Sequence, residues 1–248
     1  MAGSRSSTID AAEVQRFAAL APEWWDETGS FRPLHRLNPT RVAYIRDRLS
    51  AHFARDVKTR APFAGLSLLD IGCGGGLMCE PMARLGFAVT GIDADATARG
   101  VARAHAAAHG IAIDYRDETA EDLAAARQHF DVVLALEVVE HAADPALFLA
   151  TAASLVGPGG ALALSTINRT PKAYATAIIG AEYLLRWLPR GTHDYRKFRR
   201  PSELARDIRA AGLAVGDISG LAYDPWHDRW RLSKDLGVNY LLFATVPK

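Results

Sequence analysis

The chain has 248 residues, 49% of them hydrophobic and 23% charged, enough to bury a sizeable core in one domain or one domain with an elaboration. A net charge of +1 gives no global attraction to nucleic acid, and two cysteines, Cys73 and Cys79, make neither a disulfide framework nor a CxxC metal site. No stretch of 18 uncharged apolar residues occurs, and the first residues lack the apolar core of a secretory signal, so the expectation is a cytoplasmic protein.

Asp10 followed by Glu13 forms a capping-box pattern that predicts a first helix through Val14, Phe17 and Leu20. Pro22 opens "PEWWDETGSFRPLHRLNP", read as an irregular stretch, and Val42, Ile45, Leu49 and Phe53 then recur at helical spacing from Arg41 to about Val57. After Leu66 the rhythm changes. Short apolar runs at Leu66–Ile71, Ala88–Ile92, Ile111–Tyr115, Phe130–Leu136 and Ala161–Thr166 alternate with helical segments at Met78–Leu85, Ala96–His109, Glu121–Arg127 and Pro145–Leu155. "GPGG" before Ala161 is read as a turn re-entering the sheet. A late helix from Pro201-Ser202 and strands near Leu213–Ile218 and Asn239–Thr245 complete the pattern. This predicts an α/β protein with a Rossmann-like, doubly wound sheet of seven strands. Residues 1–62 form an N-terminal helical arm and lid, residues 63–248 the ligand-binding domain, and residues 167–200 a helical insertion after the fifth strand.

The chemistry concentrates in "LLDIGCGGG". Gly72, Gly74, Gly75 and Gly76 follow a strand, but Leu77 stands where a dinucleotide fingerprint needs its third glycine. Asp93 ends the second strand at the position where a carboxylate takes ribose hydroxyls. Asp70, just before the glycines, would repel the two phosphates of NAD and suits the sulfonium and ammonium groups of S-adenosylmethionine, with Gly74 letting the backbone approach closely. A capping role for Asp70 is the structural alternative. At the end of the fourth strand "ALEVVEH" offers Glu137, Glu140 and His141, either as ligands for a hard divalent ion such as Mg2+ or with His141 as a general base. The same acids are also read as ordinary helix-capping groups.

"LLDIGCGGG", "VTGID", "FDVVLALEVVEH" and "GPGGALALST" resemble the successive motifs of class I methyltransferases that use S-adenosylmethionine. "WWDETGSFRPLHRLNPTR", "INRTPKAYATAIIGAEYLLRWLPRGTHDYRKF" and "VNYLLFATVPK" resemble, more specifically, the ubiquinone-biosynthesis O-methyltransferase family. The resemblance runs from about Val14 to Lys248 and implies cofactor contacts from Arg41, Gly72, Asp93 and Leu136, the last replacing a methionine frequent in the family. It also implies a divalent metal on Glu137, Glu140 and His141. The substrates it implies are 2-polyprenyl-6-hydroxyphenol and 3-demethylubiquinol, with other enzymes of ubiquinone synthesis as partners. A methyltransferase for another phenol, an NAD-dependent oxidoreductase and a non-catalytic scaffold are the alternatives.

Residues 169–200 carry a net charge of +6 around an apolar stripe of Tyr174, Ile178, Ala181, Leu185 and Leu188. That pattern suits either a lid helix or, over residues 171–190, contact with an anionic membrane surface, which would place the protein peripherally on the inner face of the cytoplasmic membrane. Trp24 and Trp25 are expected in core or lid packing, His105 and His109 on a helix surface, and Cys73 as a small residue in a tight turn. "HDYRKFRR" lacks the aromatic platform of a nucleic-acid binder.

Overall fold

A computed structural model of the chain describes residues 8–18, 20–176, 194–224 and 226–247. Among these, one eight-stranded sheet has the order β3-β2-β1-β4-β5-β8-β6-β7. Its strands are β1 Ser67–Ile71, β2 Ala88–Ile92, β3 Asp114–Arg116, β4 Phe130–Leu136, β5 Val156–Ile167, β6 Ala214–Asp224, β7 Arg229–Ser233 and β8 Asn239–Thr245. The first five are parallel, while β8 runs antiparallel to β5 and β6, and β7 antiparallel to β6. The helices are α1 Ala11–Ala18, α2 Arg32–Phe53, α3 Cys79–Arg84, α4 Ala96–Ala108, α5 Ala120–Ala125, α6 Pro145–Ser154, the single turn α7 Pro171–Ala173, and α8 Pro201–Ala210.

Side chains alternate between the two faces of each strand, and both faces are covered, so the middle of each central run is apolar on both faces. Leu69, Val133, Leu162, Leu164 and Leu242 pack on one face with Leu123 of α5, Phe148 and Leu149 of α6, and Leu204 and Ile208 of α8. Leu68, Val132, Leu134, Ala163 and Leu241 pack on the other with Tyr44, Ile45 and Leu49 of α2, Met82 of α3 and Ala102 of α4. Local signals start the helices where expected. Asp95 accepts from the Thr97 amide, Thr119 and Asp122 form a capping box, and Asp144 accepts from the amides of Ala146 and Leu147 ahead of Pro145.

Three readings change. The sheet has an eighth strand, β7, whose exposed edge and alternation of Arg229 and Arg231 with Trp230 carry little apolar signal; it is held by pairing Tyr223 with Trp230 and Leu221 with Leu232. The helix expected from Arg41 starts at Arg32, because Pro33 fits a first turn and the helix tolerates Pro39 inside it. "GPGG" lies within β5 rather than ahead of it. The register jumps from Phe130–Val156 to Val132–Ala161, so the glycines form an irregularity inside the strand.

Candidate active site

The strand order reverses between β1 and β4, and at such a switch point the carboxyl ends of the strands leave a crevice for a ligand. A cavity of about 300 Å³ opens there. All nine residues singled out from the sequence line it: Arg41, Asp70, Gly72, Gly74, Asp93, Leu136, Glu137, Glu140 and His141.

β1 delivers Asp70 at its end, buried to 3% exposure. The Cys79 thiol donates to Asp70 Oδ2 at 3.2 Å. Burial pushes the Asp70 carboxyl up to about 7, against the opposing pull of that thiol and the Arg41 guanidinium and with help from the Asp93 charge. The chain then turns sharply. Gly72 and Gly74 have φ of +72° and +52°, and a Cβ at Gly72 would stand 2.5 Å from Val138 Cγ2. The Gly74 amide donates to Asp93 Oδ2 and the Asp95 amide to Asp93 Oδ1, both at 2.8 Å, so the acid at the end of β2 also fixes the glycine loop. Arg41, from α2, is buried and donates through Nη2 to Asn38 Oδ1 at 3.2 Å, while Asn38 Nδ2 donates to the Leu77 carbonyl at 2.7 Å.

β4 supplies the second group of acids. Glu137 adopts φ +57°, an uncommon conformation for a residue with a side chain, and cavity-lining residues are where such strain concentrates. Its amide donates to the Ser165 carbonyl at 3.0 Å, and the Ser165 hydroxyl donates to Glu137 Oε1 at 2.8 Å. A 3-10 turn, Val139–His141, follows. Glu140 is 3% exposed, accepts from Thr166 Oγ1 at 2.8 Å through Oε2, and leaves Oε1 without a hydrogen-bond partner among the described residues. Burial, and then the neighbouring Glu137 charge, hold the Glu140 carboxyl well above the usual carboxylate range. His141 turns Nδ1 towards Glu13 Oε2 of α1, at 3.2 Å. Glu13 Oε1 also accepts from Lys197 Nζ at 3.2 Å, and the His141 contact first of all holds the Glu13 carboxyl below its ordinary range despite burial. The structure therefore brings Glu137 and Glu140 side by side and ties His141 to Glu13. Among the described residues no three His, Cys, Asp or Glu side chains form a group placed to hold a metal ion.

Two tryptophans cover the loop from the N-terminal side. Trp25 Nε1 donates to the Gly75 carbonyl at 2.9 Å and stacks on His105 with ring centroids 3.5 Å apart. His105 Nδ1 lies 2.7 Å from Oε1 of buried Glu80. His105 is thus part of the clamp that seats the arm, not a bare surface residue, whereas His109 is exposed. Sequence reading missed Glu13, Lys197, Ser165, Thr166 and this use of His105. The capping-box pattern does mark Glu13, but its second partner is 128 residues away.

A family model described as a methyltransferase domain matches residues 38–217, which include all nine of these cavity residues. A ubiquinone biosynthesis O-methyltransferase of Chelativorans sp. (strain BNC1) is 57% identical over 247 residues, covering 100% of this chain and 98% of its own length. The chain belongs to the ubiquinone biosynthesis O-methyltransferase family. A second member, from Sinorhizobium medicae (strain WSM419), is 56% identical with full coverage of both chains. Among solved structures, the magnesium protoporphyrin IX methyltransferase of Synechocystis PCC 6803 with bound SAH is 20% identical and covers 94% of this chain and 95% of its own, with a TM-score of 0.65. That likeness is one of fold. Membership in this O-methyltransferase family sets aside the oxidoreductase reading, in agreement with the buried acid where a pyrophosphate would lie.

Proposed function

We propose that this chain is an S-adenosylmethionine-dependent O-methyltransferase of ubiquinone synthesis, acting on 2-polyprenyl-6-hydroxyphenol and on 3-demethylubiquinol. The observation that carries it is the presence, in the wall of one cavity, of a buried carboxylate at the glycine loop together with the acids Glu137 and Glu140, in a chain 57% identical to a family member over its full length. The donor supplies a methyl group already activated by its sulfonium. Asp70 meets the ammonium of the methionine end, Asp93 takes the ribose hydroxyls, and Gly72 and Gly74 let the backbone approach. Leu136 forms an apolar wall.

A phenol with an unperturbed pKa near 10 must lose its proton before its oxygen attacks the methyl carbon. His141 lines the cavity with Nδ1 engaged by Glu13, so the proton passes to Nε2. Glu13 and Lys197 keep the ring turned that way. The divalent ion that the resemblance implies fits the Glu137–Glu140 pair, whose buried Glu140 Oε1 lacks a hydrogen-bond partner among the described residues; His141, tied to Glu13, does not converge with them here. Held by those two carboxylates, Mg2+ would supply positive charge to the developing phenolate. Alanine at Glu140 or His141, assayed for labelled methyl transfer across a Mg2+ titration, tests both roles; undiminished turnover in a variant refutes them for the residue changed.

The same reading puts the enzyme peripherally at an anionic membrane surface, where an isoprenoid substrate resides, through residues 171–190, and alongside other enzymes of the pathway. Residues 177–193 lie outside the described residues, and among those described no helix is long and apolar enough to cross a membrane. What supports membrane contact is the basic flank around an apolar stripe. Co-sedimentation with anionic vesicles that persists after deletion of 171–190 would refute that assignment.

A further inference from the structure

We infer that Trp24 is a cofactor-binding residue whose indole N–H donates to the carboxylate of S-adenosylmethionine. Trp24 is in the wall of the cavity, beside the glycine loop. Its ring is stacked on Phe31 with centroids 3.9 Å apart and planes 12° from parallel, and its carbonyl is held by His35 Nε2 at 2.8 Å. The ring lies so close to the loop that a Cβ on Gly74 would be 2.3 Å from Trp24 Cζ2, the ring carbon next to the one that bears the nitrogen. Nε1 itself is shut off from solvent and has no acceptor among the described residues.

A second donor in the same wall is in the same state. Arg41 Nε is buried without a hydrogen-bond partner among the described residues. Buried donors are satisfied almost everywhere in proteins, and an indole can only donate, so two unmet donors around one cavity indicate a missing acceptor. One of the two is on the Arg41 guanidinium, whose charge faces Glu137 and Asp70 but whose Nε–H still calls for an acceptor. The opposite requirement stands close by, in the buried Asp70 carboxylate, which suits a cation. A ligand end that carries both charges on one carbon satisfies them together: its ammonium at Asp70 and its carboxylate at Trp24 and Arg41. If the ring merely filled space, phenylalanine would do so without an unmet N–H.

This inference rests on the methyl-donor reading above and is tested by binding rather than turnover. Titration calorimetry would compare the wild type and Trp24→Phe with S-adenosylmethionine and with its decarboxylated form, which differs only in lacking the carboxylate. The expected result is a Kd for S-adenosylmethionine raised about tenfold in the variant, the effect of one lost hydrogen bond to a charged group. The Kd for the decarboxylated form should stay within about twofold. Equal weakening of both ligands reduces Trp24 to packing and overturns the inference, as does an unchanged Kd for S-adenosylmethionine. Wild type that binds neither ligand refutes the methyl-donor reading itself. Should the variant fail to fold, indole N–H spectra of the wild type decide: the Trp24 resonance should move downfield with S-adenosylhomocysteine and not with decarboxylated S-adenosylmethionine. A Trp24 resonance that responds alike to both overturns the inference.

Discussion

Asp70→Asn isolates the electrostatic feature on which cofactor recognition turns. In the ligand-free protein burial moves this carboxyl from its ordinary 3.8 to about 7, which corresponds to a penalty of about 4 kcal/mol on its charged form. The folded state therefore keeps a proton that the unfolded chain releases, and stability falls as pH rises from about 4 to 7. Asparagine carries no such charge. Denaturant unfolding of ligand-free wild type and variant should give similar stabilities at pH 4.5, with the variant more stable at pH 8 by up to about 4 kcal/mol. The gain comes at the expense of binding: without the carboxylate, the cofactor ammonium has no counter-charge, and Kd should rise at least about a hundredfold. Because the ammonium favours ionised Asp70, cofactor binding to wild type at pH 7 should release about half a proton, measured by calorimetry in buffers of different ionisation enthalpy. Unfolding curves for the two proteins that stay parallel across this pH range would refute the reasoning.

Other expectations follow from single contacts. Gly74→Ala forces a side chain onto φ +52° and into the Trp24 ring, so thermal unfolding should reveal a loss of about 2 kcal/mol or more, with weaker cofactor binding. Thr166→Val strips buried Glu140 of its hydroxyl donor and should cost about 1–3 kcal/mol in denaturant titrations. Asp144→Ala removes the N-cap of α6, remote in role from the chemistry; about 1 kcal/mol should be lost with the Kd for cofactor unchanged.

The parallel half of the sheet was legible because its strands are buried on both faces and read as uninterrupted apolar runs bounded by capping residues, as at Asp95 and Asp144. β7 was not, since an edge strand with Arg229 and Arg231 facing solvent shows its strand character only through pairing with β6. Pro39 concealed the first turns of α2 in the same way, because local preference there is overridden by the packing of Leu37, Tyr44 and Ile45 against the sheet. At the site, residue type and spacing brought forward the glycines and the acids, which are consecutive along the chain. Glu13 against His141, Trp24 against Gly74 and Thr166 against Glu140 are long-range contacts, and no local pattern encodes them. The left-handed backbone of Glu137 is equally silent in the sequence, as the residue type argues against it.

The most direct test of the account is transfer of label from methyl-labelled S-adenosylmethionine to short-chain demethylubiquinol by the purified protein. The account predicts one labelled O-methyl group in the ubiquinol for each S-adenosylhomocysteine formed, and loss of that transfer in Asp70→Asn. Unlabelled acceptor from a protein that binds S-adenosylmethionine normally would contradict it.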